Sequence, residues 1–119
     1  ISFLGGIYDT EVINNLRYFS NLYFHGHSVG GTNPSLIEAM GCSALIAAHD
    51  NVFNKTVLGE DAFYFSDETQ LAGIIQKVDS KQQYQAFLEN NLKKIRTQYS
   101  WARIVDQYEA VLLEAAATT

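Results

Sequence analysis

The sequence predicts an α/β fold, in which a parallel sheet of about four strands is flanked by helices and the chain ends in two or three further helices. Three observations lead there. Short apolar runs alternate with helical stripes over the first two-thirds, the order expected of strand-helix-strand units and not of hairpins. From Asp67 onward the apolar residues recur with helical period throughout. The one proline, Pro34, stands where it opens a helix, so no proline-rich linker divides the chain.

The first strand is expected at Phe3-Leu4. Asp9 or Thr10 then caps a helix whose Val12, Ile13, Leu16 and Phe19 share one face. Leu22-Tyr23-Phe24 makes the second strand and leads to a helix beginning at Asn33. Ala44-Leu45-Ile46-Ala47 makes the third, and a short helix from about Asn51 to Leu58 stops at Gly59. The fourth strand is Ala62-Phe63-Tyr64-Phe65. Each strand is short, mostly apolar and bounded by Gly, Asp or Asn. Asp67 with Gln70 three residues on is similar to a capping box, and it precedes the stripe Leu71, Ile74, Ile75 and Val78. Tyr84, Phe87, Leu88, Leu92 and Ile95 form a further stripe. After a cap at Ser100, Trp101, Ile104, Val105, Tyr108, Val111 and Leu112 form the last one. The aromatic residues of these closing helices read as core, with a docking face for sequence outside the chain as the alternative.

At 119 residues and 47% hydrophobic content the chain suits one core and is read as a single domain, 1–119, with a frayed tail over 113–119. It opens in an apolar run without a charged, processed leader, and Ile1 reads as a cut inside a longer protein. No apolar run approaches the ~20 residues that span a bilayer, so a soluble, cytoplasmic protein is expected, with any contact at the inner membrane made through other sequence. The formal net charge of −5 does not suit binding to nucleic acid or anionic lipid, both of which need clustered Lys and Arg. The lone Cys42, beside Gly41, reads as a small packed residue and not as a nucleophile.

Residues 24–40, Phe24-His25-Gly26-His27-Ser28-Val29-Gly30-Gly31-Thr32-Asn33-Pro34-Ser35-Leu36-Ile37-Glu38-Ala39-Met40, carry the chemistry. A strand passes through a glycine turn into a helix with Asn33 as cap and Pro34 in its first turn. Free N–H groups of that first turn, with their partial positive charge, are expected to face an anion in the loop. Glu38, about one turn further on, is placed to accept hydrogen bonds from sugar hydroxyls beside a bound phosphate. Phosphate and sugar together point to a nucleotide sugar. His25 and His27 alternate along an extended segment and so face one side. No third ligand follows at metal spacing, and two imidazoles there can equally donate to phosphate or to carbonyls. Lys55 reads either as a phosphate contact or as a solvated charge.

With these residues in view, the chain resembles the donor-binding half of a retaining glycosyltransferase of the GT-B fold, in the family-four group marked by two glutamates separated by seven residues. The nearest likeness is to bacterial rhamnosyltransferase-like members, in which a histidine-glycine-histidine-serine strand end runs into a Gly-Gly-Thr-Asn-Pro-Ser helix start, here His25 to Ser35. Phe3-Leu4-Gly5 with Asp9 and the helix to Arg17, Ala48-His49-Asp50-Asn51, Leu58-Gly59 to Phe65, and Tyr99-Ser100-Trp101 extend the likeness over nearly the whole chain. The resemblance implies a Rossmann-like, partial GT-B C-terminal domain. It places Glu38 on the nucleotide ribose, with Gly30, Gly31, Thr32, Asn33 and Ser35 on the diphosphate or sugar and His25 and His27 on sugar or phosphate.

The family's first glutamate, which contacts the donor sugar, is replaced here by Gly30. Sugar recognition then falls to the backbone of Gly30, Gly31 and Thr32, to the Thr32 and Asn33 side chains, or to His25 and His27. The family's Arg and Lys pair for the diphosphate belongs to units upstream of Ile1. The implied activity is retaining transfer of a sugar, dTDP-rhamnose being one candidate donor, to an acceptor hydroxyl in polysaccharide biosynthesis. It needs no metal ion or other cofactor. The acceptor glycan or lipid-linked sugar sits on an N-terminal domain, so this chain binds donor and is inactive alone. The alternative is a non-catalytic nucleotide-binding or protein-interaction module.

Overall fold

The structure, a computed structural model, describes residues 1–31 and 33–118. Ten elements follow in order: α1 (Thr10–Phe19), β1 (Tyr23–His25), α2 (Pro34–Gly41), β2 (Ile46–His49), α3 (Val52–Leu58), β3 (Phe63–Phe65), α4 (Glu68–Lys77), a tight helical turn (Lys81–Tyr84), α5 (Gln85–Gln98) and α6 (Trp101–Ala117). The strands form one open parallel sheet in the order β1-β2-β3. Tyr23, Phe24 and His25 stand beside Ile46, Ala47 and Ala48, and Ala47, Ala48 and His49 beside Phe63, Tyr64 and Phe65.

The helix starts follow from local chemistry. Asp9, Asn33, Asn51, Asp67 and Ser100 each accept a backbone N–H from the first turn with a side-chain oxygen. Asp67 Oδ1 accepts from Gln70 N at 2.8 Å, the first half of a capping box, while Gln70 Oε1 accepts from Ser66 N at 2.7 Å, one residue ahead of the cap whose N–H the box would use. The end of α2 is equally defined. Ala44 N bonds back to Ala39 O and Ser43 N to Met40 O, with Ser43 in the left-handed region at φ 55, the double closure of a Schellman turn. The carbonyl of Ser43 accepts from the buried Lys81 ammonium at 3.1 Å, which ties this turn to the helical region that follows β3.

One apolar cluster of the core lies on the sheet face that Ile46 and Ala48 share. Leu36, Ala39 and Met40 of α2 and Val57 and Leu58 of α3 pack on Ile46 and Ala48, joined by Tyr23, Tyr64 and, from the end of the α5 region, Ile95 and Tyr99. Parallel strands buried on both faces read as continuous apolar runs, and β2, the central strand, is the one that does so. Phe63 is covered by Tyr84 and Phe87, with ring centroids 4.9 and 5.6 Å away, so the stripe leading to Leu88 and Ile95 packs as expected.

Two expectations are corrected. The sheet has three strands, not about four: Phe3 and Leu4 are exposed and form no ladder. An apolar pair in extended chain becomes a strand only when a neighbour accepts its backbone hydrogen bonds, and here β1 takes none from it. The stripe on α6 is not core. None of its residues is buried, and Trp101 (82% exposed), Val105, Tyr108, Val111, Leu112 and Leu113 face solvent. The alternative expected for these residues, a docking face, is the arrangement that α6 leaves open. The helix runs through Ala117, including much of the 113–119 segment expected to fray. Among the described residues no helix is long and apolar enough to cross a membrane.

Candidate functional site

The connection between β1 and α2 leaves the carboxyl edge of the sheet, the edge at which ligands of open parallel sheets bind. His25 closes β1 and is 1% exposed, and its ring stacks on that of His27 at 4.7 Å between centroids and 27° between planes. The two imidazoles therefore do share a side, as their alternation predicts. Burial, and secondarily the neighbouring His27, lower the pKa of His25 below its ordinary 6.5, so it is neutral at pH 7. Its buried Nε2 has no partner among the described residues.

The loop is fastened from the adjacent crossover. The carbonyl of His27 accepts from Asn51 Nδ2 at 3.0 Å and from Asn54 Nδ2 at 3.2 Å, and Asn54 Nδ2 also donates to the His49 carbonyl at 2.9 Å. The start of α3 thus grips the chain leaving β1. Neither asparagine stood among the expected site residues. Asn51 stands at the expected start of α3 and caps it, but its second bond reaches a residue far away in sequence.

Beyond His27 the chain is exposed, and Gly30 takes φ +104, where L side chains are strained. Chain neighbours aside, no heavy atom stands within 4 Å of where a Cβ at Gly30 or Gly31 would lie, so a ligand can approach the backbone there closely. Thr32, expected to contribute backbone and hydroxyl, lies outside the described residues. Asn33 Oδ1 accepts from Ser35 N at 2.9 Å and from Ser35 Oγ at 2.6 Å. Leu36 N and Ile37 N both bond to Asn33 O, at 3.1 and 3.4 Å, and Pro34 has no N–H.

These bonds correct the expectation of free amides in the first turn of α2, because cap and backbone already take them. The field of the helix remains, and the glycine turn is where a ligand can come close to the backbone. Ser35 Oγ spends its proton on Asn33 and keeps lone pairs, so it suits a hydroxyl donor better than a phosphate.

Glu38 does not join the histidine pair. Its Oε2 forms an ion pair with Arg17 Nη1 of α1 at 2.9 Å. Lys55 pairs with Asp50 at 2.6 Å and lies 5.3 Å from the centre of the Tyr64 ring, so its charge is partnered in place. Cys42 is half-buried at the end of α2, with Sγ 3.3 Å from Asn14 Oδ1. Among the described residues no three His, Cys, Asp or Glu side chains are placed to hold a metal ion.

No protein-family model matches the chain, and no curated protein matches it significantly.

Proposed function

We propose that this chain is the donor-binding side of a retaining glycosyltransferase of GT-B architecture. In this reading the enzyme transfers a sugar, rhamnose by resemblance, from a nucleoside diphosphate to an acceptor hydroxyl in polysaccharide synthesis. The observation that carries the reading is the β1–α2 connection: an exposed glycine turn at the carboxyl edge of a parallel sheet runs into a rigidly capped helix bearing Glu38. The amides of Gly30 and Gly31 and the positive end of α2 receive the diphosphate. Glu38 accepts from the ribose hydroxyls, and Ser35 Oγ and Asn33 Nδ2 face the sugar. Charge developing on the leaving diphosphate is met by fixed dipoles and by basic groups of the rest of the enzyme, so the chemistry runs without a metal ion. His25, neutral and buried, backs His27 and through it the shape of the loop.

Two measurements test this reading. Addition of nucleoside diphosphates should shift the amide resonances of Gly30, Gly31 and Glu38, and full-length protein should transfer sugar from at least one thymidine-, uridine- or guanosine-diphosphate donor. Silence of those amides with every nucleotide overturns it. The second reading, a non-catalytic nucleotide-binding or protein-interaction module, is favoured by the exposed apolar residues of α6. Nucleotide binding without transfer by the full-length protein would select it.

A further inference from the structure

Arg17 and Glu38 belong to successive helices on either side of β1, and their ion pair is unequally buried: the Arg17 side chain is 12% exposed and that of Glu38 58%. Arg17 Nη1 lies 2.9 Å from Glu38 Oε2 in this ion pair and donates, at 3.4 Å, to Asn14 Oδ1 one turn back on α1. Asn14 Oδ1 in turn accepts from Cys42 Sγ at the end of α2. The guanidinium is thus held in the seam between α1 and α2 by groups from both. A glutamate on an open helix surface samples many rotamers, and ordering it on binding takes free energy away from the contact it makes. Here one oxygen is already anchored. The ion pair runs through Oε2, and a carboxylate has lone pairs for several donors, so Oε1 keeps acceptor capacity.

We infer that Arg17 is a positioning residue for ligand recognition: by anchoring Oε2 of Glu38 it presents Oε1, fixed in advance, to the ring hydroxyls of a bound nucleotide. The inference rests on the reading of Glu38 as the ribose acceptor. Arg17 itself touches no ligand, and the pair sets selectivity for a hydroxylated ring, not affinity for phosphate.

The test measures binding of uridine, guanosine and thymidine diphosphates to the full-length protein, each beside its dideoxy form, which lacks ring hydroxyls. The parent protein should prefer a hydroxylated nucleotide by about tenfold or more, the worth of a hydrogen bond to a charged group. Arg17→Ala should remove most of that preference and leave the affinity for the dideoxy form unchanged, whereas Arg17→Lys, which keeps a cation in the seam, should retain part of it. A merely structural role would instead lower both affinities alike, and that result overturns the inference. So does a full preference in Arg17→Ala when Glu38→Ala has lost it, a result that leaves the ribose reading standing. A full preference in Glu38→Ala, or none in the parent protein, overturns the ribose reading and this inference with it.

Discussion

The stacked rings of His25 and His27 join the last buried residue of β1 to the first fixed point of the exposed loop. The stack has a consequence for pH. The folded state holds His25 below its ordinary pKa of 6.5, by burial first and by His27 second, so the unfolded chain binds more protons at that position once the pH falls under 6.5. Stability from His25 is therefore fully present above 6.5 and is lost as the pH falls towards the lowered folded value, after which no further loss accrues from this group. Urea denaturation across that window should show weakening on acidification. His25→Gln should flatten the slope, and His27→Ala should give an intermediate one because only the smaller cause is removed. An unchanged slope in His25→Gln would assign the acid sensitivity elsewhere.

The cap at Asn33 supports both stability and the proposed site. Asn33→Ala loses the acceptor for Ser35 N and Ser35 Oγ and should cost about 1 kcal/mol, read from the denaturation midpoint. Asn33→Asp keeps an oxygen acceptor and should restore most of it. Equal losses in the two variants would show that the helix start does not depend on the cap.

What the sequence disclosed and what it hid divide along the range of the interaction. Caps at Asp9, Asn33, Asp67 and Ser100 are readable because donor and acceptor lie within a few residues of each other. The facing of His25 and His27 was readable for the same reason, since alternation along extended chain fixes it. Phe3-Leu4 misled because a strand is a relation between segments, and local apolarity cannot supply the neighbour. The stripe on α6 showed which residues could be buried together, not whether anything covers them. Arg17 at Glu38 and Asn54 at His27 join separate strand-helix units, and no local spacing announces them. The cap at Asn33 is legible, but not its effect of leaving the first turn of α2 without a free amide, because that depends on Leu36 N and Ile37 N both closing onto Asn33 O.

Asn54 offers a test of how the loop is fastened. It is buried, and its amide is shared between the carbonyls of His27 and His49. In Asn54→Ala the His27 carbonyl keeps Asn51, while the His49 carbonyl loses this donor, so a loss of about 1–3 kcal/mol is expected. The same variant should speed hydrogen exchange at Gly26 to Gly31 more than at β2. Uniform acceleration across the sheet would mean that Asn54 acts on global stability and not on the loop.

The contrast between α5 and α6 gives the last prediction. Leu88 of α5 is buried, and Leu88→Ala should cost about 2–5 kcal/mol, the range for deleting a leucine side chain from a packed interior. Trp101 and Tyr108 are larger, and sequence pattern alone would assign them at least as great a share of the core. Both stand exposed on a helix with no buried residue, so Trp101→Ser and Tyr108→Ser in this chain should change stability by no more than about 0.5 kcal/mol, as exposed positions do. The measurement is denaturation of the three variants under one condition. A loss at Trp101 or Tyr108 comparable to that at Leu88 would mean that α6 folds back onto the domain in solution, and its apolar face would then be part of the core after all.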